Sequence, residues 1–318
     1  LHHNYLITKL IEKLFFWVKL LLMGLMLKNI TWTSSVRKNP IDIAIYQPNI
    51  PQEKKWEWAY RTFIKEKIAN RISQLLDHDL IVLPEAAIPD YFSNSANLLT
   101  QITREAEKLD SALLLGIPTL SADGQSSYNS VMILGAGDGI YHKRRLVPFG
   151  EYLPFEFFLK KIGLKKITQG YQSFSESSER EIFNLNGIKF LPLICYEIID
   201  TGKLNPKNDN FDFILNVSED GWFGNSIGIH QHFAHAKFRA IEEGKYVIRS
   251  TNNGITAIIE PTGNYLKKIE STEKGFIELK EYRNTKKTLF SSQGNKIFFY
   301  LILIYISFFL FLTKFKRG

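Results

Sequence analysis

From Ile297 to Leu312 the chain reads IFFYLILIYISFFLFL, a run with no charged residue. No other stretch restricts the possible folds as strongly. A helix buried in a soluble core is rarely apolar on every face, and this one is. About 16–17 apolar residues lie near the lower limit for crossing a bilayer core. Lys296 precedes the run, and Lys314, Lys316 and Arg317 follow it at once. Basic residues beside a span favour the cytoplasmic side. The expectation is therefore a transmembrane helix with a basic tail over residues 291–318, its preceding domain on the outer side. The competing reading is a buried C-terminal helix.

The other end is less regular. Leu14–Leu27 (LFFWVKLLLMGLML) is apolar except for Lys19 and is flanked by Lys9, Lys13 and Lys28. Such a stretch suits the tail of a membrane helix, an interfacial helix or a poor signal anchor. Residues 1–39 are read as an apolar, membrane-associated segment. The chain starts at Leu1 rather than methionine, a hint of a fragment or a processed product that leaves missing upstream sequence open.

Composition adds limits. With 318 residues, 45% of them hydrophobic, the chain can bury a core for one large domain or two medium ones. A net charge of +8 is compatible with nucleic acid, anionic lipid or simple solubility. The sequence carries no helix-turn-helix, zinc-finger or RNP signature, so nucleic acid is the weakest of the three. A single cysteine, Cys195, excludes an internal disulfide and leaves the redox compartment open.

Between the ends, strands and helices alternate. Ile41–Gln47 has a two-residue period and stops at Pro48-Asn49-Ile50-Pro51. Ile64, Ile68, Ile72 and Leu75/Leu76 repeat at helical spacing. Leu80–Leu83 is a short buried strand ended by Pro84. A helix over about 94–109 leads into a strand at Ala112–Ile117. Val131–Leu134 and Ile140-Tyr141 predict a hairpin around the glycine-rich Gly135–Gly139. Ile188–Ile194, Phe211–Val217, Tyr246–Ser250 and Ile255–Glu260 are further strands, and Gln231–Glu243 is a helix before the last pair. Thr168–Glu181 is a polar surface loop. This order predicts sheets covered by helices, an α/β or α+β sandwich.

Three residues share one context: Glu85 after LIVLP, Lys143 at the end of IYHK and Cys195 at the end of FLPLIC. Each ends a hydrophobic strand, where α/β sheets place functional groups. Singly, each reads first as a structural residue: Glu85 and Lys143 as surface groups at a strand-to-loop junction, Cys195 as a small buried hydrophobe. Together they make chemistry. A carboxylate can take the thiol proton, since cysteine attacks as thiolate. A lysine can stabilise the thiolate and the oxyanion of a tetrahedral intermediate. A second carboxylate, Glu151, can balance the lysine or shuttle protons.

The carboxylate, lysine and cysteine in this order resemble the Glu-Lys-Cys triad of the nitrilase, or carbon–nitrogen hydrolase, superfamily. The longer motifs are similar to its apolipoprotein N-acyltransferase branch. They are Tyr46–Gln52 with Trp56, Leu83–Pro89, Tyr141–Pro154, Ile194–Ile198, Ser218–Gly224 with His230-Gln-His232, and Arg249–Gly254. The likeness runs from about Ile41 to the C-terminus, including Thr288–Gly294. It implies an α/β fold, a nitrilase-like αββα sandwich over residues 40–290, with a C-terminal transmembrane helix and a possible N-terminal membrane-helix remnant. It also implies Glu85 as general base, Lys143 as oxyanion stabiliser and Cys195 as nucleophile, with Glu151 in support. Tyr196 and Glu197 would line the site beside the thiol, and Trp56 and Trp222 would contact acyl chains at its mouth.

The implied reaction is ping-pong and needs no cofactor or metal. A phospholipid such as phosphatidylethanolamine gives its acyl chain to the cysteine as a thioester. The α-amino group of a diacylglyceryl-modified N-terminal cysteine on an apolipoprotein then takes it. The implied location is the bacterial inner membrane, with the catalytic domain in the periplasm. The family carries a bundle of membrane helices before this domain, and here only Leu14–Leu27 corresponds to it. A soluble nitrilase-like amidase and a non-catalytic membrane-anchored module are the alternatives. His230, His232 and His235 lack a metal-site partner pattern and read as structural. Asn252-Asn253-Gly254 reads as a turn, and Arg239, Glu242 and Glu243 as the polar face of a helix.

Overall fold

A computed structural model describes residues 38–155, 161, 173–178, 180–202, 204, 209–283 and 285–317. The expected N-terminal apolar segment and part of the 168–181 loop lie outside the described residues. Two six-stranded sheets face one another. The first has the order β12-β1-β2-β3-β4-β5, built from β1 (Lys38–Gln47), β2 (Leu80–Val82), β3 (Ala112–Leu120), β4 (Ser127–Gly135), β5 (Gly139–His142) and β12 (Gly275–Arg283). The second runs β11-β10-β9-β8-β7-β6, from β6 (Phe183–Leu185), β7 (Ile188–Ile194), β8 (Phe213–Ser218), β9 (Tyr246–Thr251), β10 (Thr256–Ile259) and β11 (Tyr265–Ile269). In each sheet three neighbouring strands are parallel and antiparallel strands flank them.

The two-residue strand period sorts side chains into layers. On β1 and β2, Ile43, Ile45, Leu80 and Val82 point into the space between the sheets. They meet Phe190, Phe213, Leu215 and Ile248 there, and the Phe190 and Phe213 rings stack with centroids 5.5 Å apart. Ala44, Tyr46, Ile81 and Leu83 point outward. Helices α2 (Trp58–Ser73) and α3 (Ala96–Lys108) cover them with Ile64, Ile68, Ile72, Leu99 and Ile102. Ala236 and Ala240 of α4 (Gly228–Glu243) cover the outer face of the second sheet. The result is the expected αββα sandwich, and the Gly135–Gly139 hairpin joins β4 to β5 as predicted.

After β12 come α5 (Leu289–Gln293) and α6 (Lys296–Arg317). Thr288 caps α5, its hydroxyl accepting from the Ser291 N–H at 2.8 Å. The 22 residues of α6 extend about 33 Å. Its window Lys296–Thr313 has a mean hydropathy of 2.2 and no buried residue, so the buried-helix reading fails and a helix long and apolar enough to cross a membrane stands clear of the sandwich.

The end of α4 differs from expectation. Arg239 and Glu243 are buried rather than forming a polar outer face. Arg239 donates to Glu242 at 2.9 Å and to the Ile199 carbonyl at 3.2 Å, while Ser291 of α5 donates to Glu243. These groups join the sandwich to the helix pair that follows it.

Candidate active site

Glu85, Lys143 and Cys195 converge on one cavity of about 340 Å³. Glu85 lies just beyond β2, and its loop presses against β3 at Gly116. A Cβ there would fall 2.3 Å from the Pro84 carbonyl and 2.7 Å from Glu85 Cα, which only glycine avoids. Lys143 follows β5 directly. Cys195 follows β7 and opens a 3₁₀ turn, Cys195–Ile199. Its φ of 49° is in the left-handed region, a sparsely populated conformation for a residue with a Cβ.

The carboxylates and lysine form one buried network. Lys143 Nζ lies 3.3 Å from Glu85 Oε1 and 2.9 Å from Glu151 Oε2. Asn129 of β4 donates to both acids, at 2.6 Å to Glu85 and 2.7 Å to Glu151. The Val147 N–H donates to Glu151 at 2.9 Å, which fixes the loop 143–151 around the lysine. Burial lowers the pKa of Lys143, but the charges of Glu151 and Glu85 outweigh it and hold the ammonium well above its usual range. Burial pushes the Cys195 thiol up, and Glu85 pushes it further; Lys143 pulls it back only in part. These surroundings favour the thiol over the thiolate, and a thiol reacts with carbon only when a base takes its proton.

Tyr196, Trp56 and Trp222 line the same cavity, and Trp222, with 43% of its surface exposed, stands at its mouth beside Phe223. Glu197 does not line it. Its side chain is fully buried behind the turn, where it accepts from Tyr141 Oη at 2.6 Å, the Arg144 N–H at 3.0 Å and the Ile194 N–H at 2.8 Å. A carboxylate with that many internal donors ties the backbone just before Cys195 to the backbone just after Lys143. His232 is buried on the cavity wall, whereas His230 and His235 are exposed, so the histidine cluster is split.

The sequence reading missed a layer of charge behind these groups. Lys55, fully buried on the short helix α1 (Gln52–Lys55), pairs with Glu219 and donates to the Glu85 carbonyl at 3.2 Å. Asp220 accepts from Arg249 at 2.7 Å and from the Ser218 hydroxyl at 2.7 Å, and it contacts His232 at 2.9 Å. The signal was present: Glu219 and Asp220 follow β8 at the same sheet edge as Cys195.

A cysteine beside a buried carboxylate–lysine pair, at the strand ends of an αββα sandwich, is an arrangement that can support thiol-based acyl transfer. The sequence matches the carbon–nitrogen hydrolase family over residues 42–280, and the chain belongs to that family. Within it, the chain is 34% identical to the apolipoprotein N-acyltransferase of Pseudomonas syringae pv. tomato over 80% of its own length and 51% of that protein's. It is 36% identical to the apolipoprotein N-acyltransferase of Rhizobium rhizogenes, covering 74% of this chain and 47% of the other. The chain thus spans about half the length of the curated relatives it matches. Among solved structures, a carbon–nitrogen hydrolase from Helicobacter pylori superposes with a TM-score of 0.57 at 15% identity, over 76% of this chain and 88% of that one. Nit3 of Saccharomyces cerevisiae, a nitrilase-superfamily member, gives 0.56 at 17% identity, over 77% and 90%. At those identities the likeness is one of fold.

Proposed function

We propose that this chain is the catalytic part of an apolipoprotein N-acyltransferase, moving an acyl chain from phospholipid through a Cys195 thioester to an N-terminal diacylglyceryl-cysteine. The observation that carries this reading is one cavity holding Glu85, Lys143 and Cys195 behind an aromatic mouth, on a chain that ends in an unburied apolar helix. In the first half-reaction Glu85 takes the thiol proton as Sγ attacks the ester carbonyl. The Lys143 ammonium meets the oxyanion. The C–O bond to glycerol breaks, Glu85 returns the proton to the glycerol oxygen, and lysophospholipid leaves. In the second half the acceptor nitrogen attacks the thioester and gives a proton to Glu85. The C–S bond breaks and the thiolate recovers that proton. Glu151 keeps the lysine charge balanced throughout, and Trp56 and Trp222 hold the acyl chain.

In this reading α6 places the cavity at a bilayer surface. The basic residues at its C-terminal end, Lys314, Lys316 and Arg317, lie in the cytoplasm and the sandwich lies in the periplasm of the inner membrane. A phosphatidylethanolamine-like donor reaches the site from the membrane plane. A soluble amidase would use the same triad, but the exposed apolar helix and aromatic mouth favour a lipid donor.

Membranes carrying the protein should form a hydroxylamine-sensitive adduct when incubated with acyl-labelled phospholipid. Absence of the adduct, or its survival in Cys195→Ala, would sink the thioester route. Turnover of a small amide without lipid would favour the amidase.

A further inference from the structure

We propose that the adjacent carboxylates Glu219 and Asp220 form a brace that sets the separation of Glu85 and Cys195, acting through Lys55 and His232. The inference rests on reading Glu85 as base and Cys195 as nucleophile.

Both catalytic residues are gripped by their backbone carbonyls. Lys55 Nζ donates to the Glu85 carbonyl at 3.2 Å. His232 Nε2 lies 3.2 Å from the Cys195 carbonyl, which can only accept, so this ring nitrogen carries the hydrogen. The two gripping side chains come from distant parts of the chain, yet their anchors are neighbours: Lys55 is paired with Glu219 and His232 contacts Asp220. Glu219 also donates its own N–H to Glu85 Oε2 at 2.8 Å. One dipeptide at the end of β8 therefore touches the base directly and reaches the nucleophile through one imidazole.

The brace is itself fixed. Asn252, beyond β9, donates to Glu219 at 3.0 Å, and Arg249 of β9 donates to Asp220. Gly254 leaves room for Asp220: a Cβ at 254 would lie 2.1 Å from Asp220 Oδ2. The catalytic backbone needs such support. Cys195 has a φ of 49° and Ala86, next to Glu85, has a φ of 45°. Two left-handed non-glycine residues beside the reacting groups would relax without something holding the peptides that flank them. Lys55 and His232 hold those same peptides. Lys55, Glu219 and Asp220 are thus positioning residues, as is His232, although it also lines the cavity wall.

The test uses the full chain in detergent and p-nitrophenyl butyrate, whose nitrophenolate burst reports Cys195 acylation without any lipid. Replacing both members of the buried pair, Lys55→Met with Glu219→Gln, leaves no unpaired charge, so melting should stay within about 5 °C of the parent. Misplacing the base should slow the acylation step about 10²-fold at saturating ester. His232→Phe, which removes the donor, should slow it similarly, and His232→Gln, which restores one, should recover all but about tenfold. A folded double variant that acylates within about threefold of the parent overturns the brace. Should that variant not fold, equal rates for His232→Phe and the parent overturn it instead. An intact burst with no lipid adduct in the parent counts against the lipid donor alone and leaves the brace to the variants; a parent with no burst overturns both.

Discussion

The two sheets repeat one pattern, three parallel strands with antiparallel flanks, but they hold their share of the site differently. The first sheet supplies Glu85, Asn129 and Lys143, and these bond to one another side chain to side chain, with Glu151 closing the network. The second supplies Cys195, which is held through its backbone, by Glu197 on the preceding N–H and His232 on its carbonyl. The difference fits the proposed chemistry. Groups that exchange protons work through hydrogen bonds and can be fixed by them. A sulfur that must bond carbon has to stay free at its tip, so its aim is set by the peptides around it.

The sharpest way to break this comparison is to alter the two charges that act oppositely on the thiol. Glu85 raises the thiol pKa and Lys143 lowers it. In Glu85→Gln the thiolate should therefore appear at lower pH than in the parent, while acylation falls about 10²–10⁴-fold for want of the base. In Lys143→Met the thiolate should appear at higher pH, with acylation down about 10²–10³-fold for loss of the oxyanion partner. Ultraviolet titration of the thiolate, read beside the ester burst, separates the two effects. Shifts in the same direction would mean that the two charges do not share one sulfur.

The parts of this arrangement visible in the sequence were those with a local signature. Glu85, Lys143 and Cys195 each end an apolar run, and that placement survives folding because the strand fixes the residue that follows it. The strands β12 and β11 went unread. FIELKEYR and YLKKI carry charges along exposed edges, and β12 becomes a strand through pairing with β1, more than two hundred residues away in sequence. Lys55 was hidden for a similar reason. In the run Gln-Glu-Lys-Lys it looks like a solvated helix face, and only the approach of Glu219 from the other sheet makes its burial possible. Glu197 shows the converse: adjacency to Cys195 in sequence placed it on the opposite side of the turn.

The brace carboxylates should also separate under acid. Burial works to raise the pKa of Asp220, yet Arg249, His232 and Ser218 overcome it and hold the carboxyl well below the usual range. A folded-state value below the unfolded one, about 3.9, gives stability that is full above that pH and is lost as pH falls through the folded value. Burial raises Glu219 despite Lys55. Its sign is reversed, so its contribution to stability improves as pH falls through its raised value towards about 4.3. Melting temperature against pH should lose part of its acid decline in Asp220→Asn and steepen in Glu219→Gln. Arg249→Met, which strands Asp220 without its cation, should cost about 3–5 kcal/mol at neutral pH.

The smallest effect belongs to the mouth. Trp222 is 43% exposed on a short 3₁₀ turn after the brace, at the cavity entrance. In the proposed reaction its ring would meet the acyl chain well away from the carbonyl that changes bonding. Such a contact is the same in the ground state and the transition state, so it lowers KM without raising kcat. Trp222→Ala should raise the KM for phospholipid about tenfold, the worth of a partly buried aromatic contact, with a smaller change in kcat. A fall in kcat that matches the rise in KM would place Trp222 with the groups that orient the reacting ester. The nucleophile's half of the site would then extend from the backbone clamp out to the mouth.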